Sequence, residues 1–181
     1  MTFTQSVRRC LGQYVTFSGR ASRPEFWWFI LFVVLVQAVA NAIDVTLFST
    51  VTTVETGAGS TTRVVSNAPV SGLAALALLL PQLAAGWRRM HDTGRSGIFL
   101  LLPLLLSAAA SLVLFFGIGL ASQFQHGGSL DLLFTRATLL VVIPTLLVLL
   151  ISPLLVIWWL TRPSQPGTNE YGPNPAEVTS Q

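Results

Sequence analysis

The stretch FWWFILFVVLVQAVANAIDVTLF, residues 26–48, decides the fold because nearly every position in it is apolar. A helix of about 20 mostly apolar residues is long enough to cross the hydrocarbon core of a bilayer. Three further windows have the same character, at residues 70–87, 98–120 and 137–160. The sequence therefore predicts an all-α membrane protein with four transmembrane helices.

The composition of the whole chain supports this class of protein. Hydrophobic residues make up 52% of the 181 residues, charged residues only 9%, and the mean hydropathy is +0.67. Soluble domains carry about 25% charged residues. We expect a single domain over residues 1–175 and a flexible tail at residues 176–181, because the C-terminal region is rich in Pro, Gly and Asn.

Four prolines, Pro81, Pro103, Pro144 and Pro153, fall inside the apolar windows. A proline inside a soluble helix usually ends it. In a membrane bundle, neighbouring groups can donate to the carbonyl that the proline leaves free. We therefore expect kinks at these positions and no breaks.

The segment before the first window is predicted to form a short amphipathic helix. In SVRRCLGQYVTF, residues 6–17, the apolar side chains recur at helical spacing and share one face. They are Val7, Cys10, Leu11, Tyr14 and Val15. Such a helix lies in the membrane interface or packs on the bundle. A cleavable signal peptide is the alternative for the first apolar window, because Ala38-Val39-Ala40 within it resembles a processing site.

The distribution of positive charge predicts the orientation of the chain. All ten basic residues are arginines. Arg63 and Arg136 lie in the first and third loops between windows, and the other eight of the ten lie before the first window, between the second and third, or after the fourth. Because basic residues accumulate on the cytoplasmic side, we expect both termini and the middle loop to be cytoplasmic.

The middle loop contains RRMHDTGRSG, residues 88–97, whose side chains suggest several kinds of chemistry. A catalytic interpretation is weak, because His91 and Asp92 are adjacent and point about 100° apart on a helix. An anion site is better founded, since guanidinium groups bind phosphate in a bidentate manner. The alternative is internal, with Asp92 pairing with an arginine of this motif or with Arg20 or Arg23.

Polar residues in and before the first window allow further interpretations. Ser22 and Glu25 have the spacing of a capping box at a helix N-terminus. Gln37, Asn41 and Asp44 share one helix face. Such a stripe either lines a polar pathway or makes hydrogen bonds between helices.

The two outer loops carry weaker signals. Thr- and Val-rich runs on either side of residues 57–60 predict a hairpin. The second outer loop is compatible with a short interfacial helix, and His126 in it is interpreted as an ordinary loop residue. Cys10 is the only cysteine, so no intrachain disulfide can form.

Three motifs together carry a resemblance to a known family. FSGRASRPEFWWF at residues 17–29, RRMHDTGRSG at residues 88–97 and PGTNEYGPNP at residues 166–175 resemble the bacterial inner-membrane family called domain of unknown function 805. The chain departs from that pattern at two places. Pro24 replaces a residue that is usually polar in the family, and Ile98-Phe99 stand where the family tends to have tryptophan. The resemblance implies a small multi-spanning protein of the bacterial inner membrane and supplies no catalytic residue.

These observations predict a site and a function. The predicted site is one cytoplasmic surface formed by Arg20, Arg23, Arg88, Arg89, His91, Asp92, Arg95, Ser96, Asn169 and Tyr171. We expect this surface to bind anionic lipid headgroups, a protein partner or a second copy of the chain, without catalysis. The alternatives are a small transporter or channel that uses the polar stripe, and an enzyme that acts on a lipid phosphate. No metal, cofactor or nucleic-acid partner is expected.

Overall fold

The computed structural model describes residues 1–56, 59–123 and 130–178 and is mostly helical. The α-helices are α1 (Phe3–Gly12), α2 (Arg23–Leu47), α3 (Pro69–Asp92), α4 (Leu102–Gln123), α5 (Leu130–Thr161) and α6 (Pro175–Val178). A 3₁₀ helix at Gly97–Leu101 leads into α4. Two strands, β1 (Ser49–Thr56) and β2 (Gly59–Ser66), lie between α2 and α3.

Three of the helices within the described ranges are long and apolar enough to cross a membrane. They are α2, α3 and the Val142–Thr161 part of α5. The third predicted window corresponds to the 3₁₀ helix and α4, of which Gly97–Val113 forms a shorter apolar helical segment. The second predicted window lies within α3, which continues through the arginine motif to Asp92.

The N-terminal helix is present but is shifted toward the N-terminus relative to the predicted one. Thr2 and Gln5 form a capping box that fixes its start, a T-x-x-Q pattern that the sequence analysis missed. Its buried residues are Ser6 and Cys10, while Val15 of the predicted apolar face is 62% exposed. The helix packs on α2 rather than standing apart from the bundle.

The hairpin predicted in the first outer loop is also present. Its strands pair antiparallel, with Ser49 opposite Ser66 and Thr56 opposite Gly59. The turn residues 57–58 lie outside the described residues. His126 of the second outer loop also lies outside the described residues. The next described element is α5, which begins at Leu130.

The core of the bundle is small and lies where α1, α2, α3 and α5 meet. Phe26, Phe29 and Val33 of α2 contribute to the same buried cluster as Met90 of α3 and Leu160 of α5. Many large apolar side chains point away from this core, and in a membrane such side chains face lipid. They include Val34, Val39, Leu73, Leu76, Leu104, Leu146 and Leu154.

Three of the four prolines lie inside continuous helices, as predicted. Pro81 lies within α3, and Pro144 and Pro153 lie within α5. Pro103 is the second residue of α4, which follows directly on the 3₁₀ helix. A proline in the first turn of an α-helix sacrifices no helical hydrogen bond.

Candidate functional site

Asp92, the last residue of α3, is the centre of a buried ion-pair cluster. Its side chain is 0% exposed and accepts the Arg20 Nε–H over 3.0 Å. Arg89 and Ser164 donate to its other carboxylate oxygen. Of the arginines considered as partners, Arg20 and Arg89 therefore form the pairs.

Arg20 connects the three sequence motifs. Besides Asp92, its guanidinium donates to the carbonyl oxygens of Gly167 at 2.8 Å, Gly172 at 3.2 Å and Gln165 at 2.5 Å. Arg20 belongs to the first motif, Asp92 to the second, and the two glycines to the third. One buried side chain thus holds the start of α2, the end of α3 and the segment after α5 in a fixed arrangement.

Arg89 of α3 and Arg23 of α2 donate hydrogen bonds to carbonyls at the C-terminal end of α5. The Arg89 Nε–H donates to the carbonyl of Leu160 at 2.9 Å, and its Nη2 donates to the carbonyl of Arg162. The Arg23 Nε–H donates to the same Arg162 carbonyl at 2.8 Å. The last carbonyls of a helix have no partner within it and carry the negative end of its dipole. The two arginines therefore cap α5 from α2 and α3.

Glu25 forms a second buried cluster with α1 and α3. The Ser22 hydroxyl accepts the Glu25 amide at 3.4 Å, which is one half of the predicted capping box. The other half is absent, because the Glu25 carboxylate, 0% exposed, accepts from Arg88 Nη1 at 2.8 Å. Its second oxygen lies 3.5 Å from Arg9 Nε. Glu25 is more stable facing Arg88, because a buried arginine needs a counter-ion.

The contacts of His91 hold the fold together. Its Nδ1 lies 3.1 Å from the carbonyl oxygen of Gly19 and donates to it, because a carbonyl only accepts. Its ring stacks on Tyr171, with the centroids 3.8 Å apart and the planes 5° apart. Asn169 donates to the His91 carbonyl at 3.0 Å. The Asp92 carboxylate is engaged with arginines, so these two residues do not form a catalytic pair.

The turn after α3 has a specific backbone geometry. Gly94 has φ of +72°, a conformation that glycine adopts without strain. The amide of Gly94 donates to the carbonyl of His91 at 3.0 Å, and the amide of Arg95 donates to that of Met90 at 3.1 Å. These two bonds define a Schellman motif. Gly94 is thus the residue after the C-cap Thr93, where α3 ends.

Ser96 and Gly97 connect this turn to the 3₁₀ helix. Ser96 stands at its N-cap, but its hydroxyl makes no capping hydrogen bond. A β-carbon on Gly97 would lie 2.2 Å from atoms of the Trp87 ring. Only glycine allows the chain to pass this close to the tryptophan.

Three arginines, Arg23, Arg95 and Arg162, form what we call the arginine surface. Arg95 lies 5.1 Å from the ring centroid of Trp159, and Arg162 lies 4.5 Å from that of Trp158. Burial lowers the pKa of Arg95, and the nearby charge of Arg162 lowers it further. Within the described ranges, none of the three forms an ion pair with an acid.

The predicted polar stripe of α2 does not act as one unit. The Asp44 carboxylate, 1% exposed, accepts the amides of Val70 at 2.9 Å and Ser71 at 2.8 Å. The Asn41 side chain is exposed and donates to the carbonyl of Gln37 on its own helix at 2.8 Å. Asp44 therefore caps the N-terminus of α3, where the N-cap residue Ala68 offers no side-chain acceptor.

Several functional partners were missed by the sequence analysis. Glu25 was interpreted only as a cap, and nothing in the local sequence relates it to Arg88, 63 residues away. Ser164 and Gln165 had no motif of their own, although both contact the Asp92 and Arg20 cluster. Among the described residues, no three His, Cys, Asp or Glu side chains are grouped so that they could hold a metal ion.

The fold and site define a helical membrane protein in which buried ion pairs, and hydrogen bonds from Arg20 to backbone carbonyls, join three distant motifs. An adjacent surface remains positively charged. The chain belongs to the family described as protein of unknown function (DUF805), whose model matches residues 14–173.

Two curated relatives from Escherichia coli (strain K12) match about half of the chain. Inner membrane protein YhaI is 39% identical over 92 residues, which cover 51% of this chain and 64% of the relative. Inner membrane protein YhaH is 31% identical over 97 residues, which cover 54% of this chain and 70% of the relative. No solved structure matches the chain significantly.

Proposed function

We propose that the chain is a non-enzymatic protein of the bacterial inner membrane whose arginine surface binds anionic lipid headgroups on the cytoplasmic leaflet. One observation carries this proposal. Arg20, Arg88 and Arg89 are buried and paired with acids, whereas Arg23, Arg95 and Arg162 have no acid partner among the described residues. Of these three, Arg95 and Arg162 lie over tryptophan rings.

The physical argument rests on where these charges lie. Tryptophans concentrate at the headgroup level of a bilayer, so Trp158 and Trp159 mark that level at the end of α5. Each basic residue near an anionic leaflet contributes about 1 kcal/mol of attraction. The paired arginines in the buried clusters cannot contribute in this way, because their donors are used within the protein.

The proposal includes a topology of four crossings with both termini in the cytoplasm. The identity of the relatives as inner membrane proteins supports the membrane, and the arginine distribution supports the orientation. Reporter fusions after Gln181 and within residues 56–62 test it. We expect a cytoplasmic signal from the first and an external signal from the second. An external C-terminus would refute the four-crossing topology.

Lipid binding is tested by native mass spectrometry of the purified protein with phosphatidylglycerol or phosphatidylcholine. The informative variant changes Arg23, Arg95 and Arg162 together to glutamine. We expect it to lose the preference for phosphatidylglycerol, most clearly at low ionic strength, where exposed charges are least screened. Arg8→Gln is the matched control, because Arg8 is an exposed arginine on α1. An unchanged lipid preference in the triple variant would refute the proposal.

A transporter or channel is less well supported by the same contacts. Such a protein needs polar side chains that are free to bind a solute along the membrane-crossing helices. In α2, Asp44 is used as a cap for α3, and Asn41 is bonded to its own helix. These contacts favour a structural role for Asp44 and Asn41.

A further inference from the structure

Arg95 and Arg162 each pack on a tryptophan near the end of α5. They lie over two consecutive rings, Trp159 and Trp158, at 5.1 Å and 4.5 Å from the centroids. Burial lowers the pKa of Arg95, and the nearby charge of Arg162 lowers it further. Packing on an aromatic face limits the motion of a guanidinium group and leaves its N–H edges available for an acceptor.

The donors of these two side chains are largely unused. Arg95 Nη1 donates to the carbonyl of Thr93 at 3.3 Å, which occupies one of its five N–H groups. The guanidinium of Arg162 makes no hydrogen bond within the part of the chain that the structure describes. The carbonyl of Arg162 is held by Arg23 and Arg89, so the backbone that carries this side chain is fixed.

The surroundings of the pair are apolar and exposed. Ile98 is 52% exposed, Phe99 is 41% exposed and Trp158 is 52% exposed. Phe99 also contacts Trp159 edge to face, with the centroids 5.6 Å apart. A ligand that fits this surface has an anionic group for the arginines and an apolar part that lies along these side chains.

We propose that Arg95 and Arg162 together bind one phosphate group of an anionic phospholipid, whose acyl chains lie against Ile98 and Phe99. This inference rests on the proposed function and specifies its site. A free phosphate has no use for the apolar neighbours. A zwitterionic lipid would place its own cation near two arginines, which repel it.

The experiment measures phosphatidylglycerol binding to the purified full chain by native mass spectrometry, with Arg95→Gln, Arg162→Gln and the double variant. If both side chains hold the same phosphate, either single change should lower the affinity about tenfold. The double change should then lower it by little more, because the two effects are coupled. Independent and additive losses would overturn the two-arginine site.

Arg95→Lys with Arg162→Lys separates a defined site from a diffuse charge. Lysine keeps the charge but loses the planar, bidentate donor geometry. We expect the double lysine variant to bind phosphatidylglycerol more weakly than the wild type. Wild-type affinity in this variant would overturn the site, since charge alone would then suffice. Arg8→Gln serves as the control for removing one exposed arginine and should bind normally.

Two further outcomes distinguish the site from the broader proposal. If the wild type does not prefer phosphatidylglycerol to phosphatidylcholine, both the site and the proposed function fail. If the triple variant loses the preference while Arg95→Gln with Arg162→Gln keeps it, only the site fails. Competition by inorganic phosphate at the same concentration as the lipid would overturn the lipid assignment. Thermal unfolding should show that each variant remains folded.

Discussion

The hydroxyl of Tyr14 donates a hydrogen bond to the carbonyl of Ala77, the residue four positions before Pro81. Proline has no amide hydrogen, so it leaves the carbonyl of the residue four positions earlier without its helical partner. An unsatisfied carbonyl in hydrocarbon costs several kcal/mol. Tyr14 thus compensates for Pro81 and attaches the N-terminal segment to the middle of α3.

Tyr14→Phe removes this donor and keeps the ring. We expect a loss of about 1–3 kcal/mol in the free energy of unfolding, because a carbonyl that is satisfied in the wild type becomes unsatisfied. SDS-induced unfolding, followed by tryptophan fluorescence, measures the loss.

Pro81→Ala provides the matched background for this test. Alanine at this position restores an amide that can donate to the Ala77 carbonyl. The cost of Tyr14→Phe should therefore shrink in the Pro81→Ala background. An equal cost in both backgrounds would show that the Tyr14 hydroxyl acts elsewhere.

Cys10 should react slowly with thiol reagents. Its side chain is 0% exposed. Burial raises the pKa of its thiol to about 11, and the charge of Glu25 raises it in the same direction. Only the thiolate is nucleophilic. We expect slow alkylation by iodoacetamide at pH 8 in the folded protein and fast alkylation after unfolding in SDS, read by mass spectrometry. Rapid labelling of the folded chain at pH 8 contradicts this placement of the thiol.

The same pKa implies a dependence of stability on pH. The unfolded thiol titrates near its ordinary value of 9.0, and the folded thiol near about 11. The folded state therefore keeps its proton longer as the pH rises. The contribution of Cys10 to the free energy of unfolding should be constant below about pH 9 and should fall between about pH 9 and about pH 11. In Cys10→Ser, this fall should disappear.

The membrane helices could be predicted because their signal is local. A run of apolar residues long enough to cross a bilayer forms a helix whatever surrounds it, since every backbone group must be bonded within the segment. The end of α3 is the informative exception. The predicted apolar window stops before the last turn, because that turn carries Arg88, Arg89 and Asp92. The turn is nevertheless helical, because these charged side chains are buried in ion pairs.

The pairing within the site could be predicted only in part. The sequence suggested that Asp92 pairs with nearby arginines, and Arg89 lies within one helical turn of it. The partners of Arg20 in the third motif are backbone carbonyls, which no residue type reveals. Glu25 followed a capping pattern, yet its carboxylate turns to Arg88, because tertiary contacts outweigh a local preference.

Asp44 should stabilise the start of α3, and we do not expect it to line a polar pathway. Its carboxylate accepts two amides at the start of that helix. Asp44→Ala removes both acceptors and should lower the midpoint of thermal unfolding, whereas Asp44→Asn keeps one acceptor and should have a smaller effect. Asn41→Ala is the matched control, because Asn41 is exposed on the same helix and bonds only within it. Equal effects of Asp44→Ala and Asn41→Ala would refute the capping role.

Asp92 should contribute strongly to the stability of the fold, because two buried arginines form ion pairs with it. Its side chain and that of Arg89 are 0% exposed, and that of Arg20 is 1% exposed. Removing one partner of a buried ion pair typically costs about 3–5 kcal/mol, since a charge is left without compensation. We expect Asp92→Ala to lower the free energy of unfolding by about this amount. Asp92→Asn should cost less, because an amide oxygen still accepts a hydrogen bond.

Two further variants, Glu170→Gln and His91→Ala, distinguish a structural role of Asp92 from catalysis at this turn. Glu170 is an exposed acid in the third motif, so its neutralisation should leave stability almost unchanged. His91→Ala should cost about 1–2 kcal/mol, because it removes the contact with Gly19 and the stacking on Tyr171. Asp92 variants that unfold as easily as the wild type would contradict the structural role. A phosphate-directed activity that disappears in a folded His91→Ala protein would instead establish catalysis at this turn.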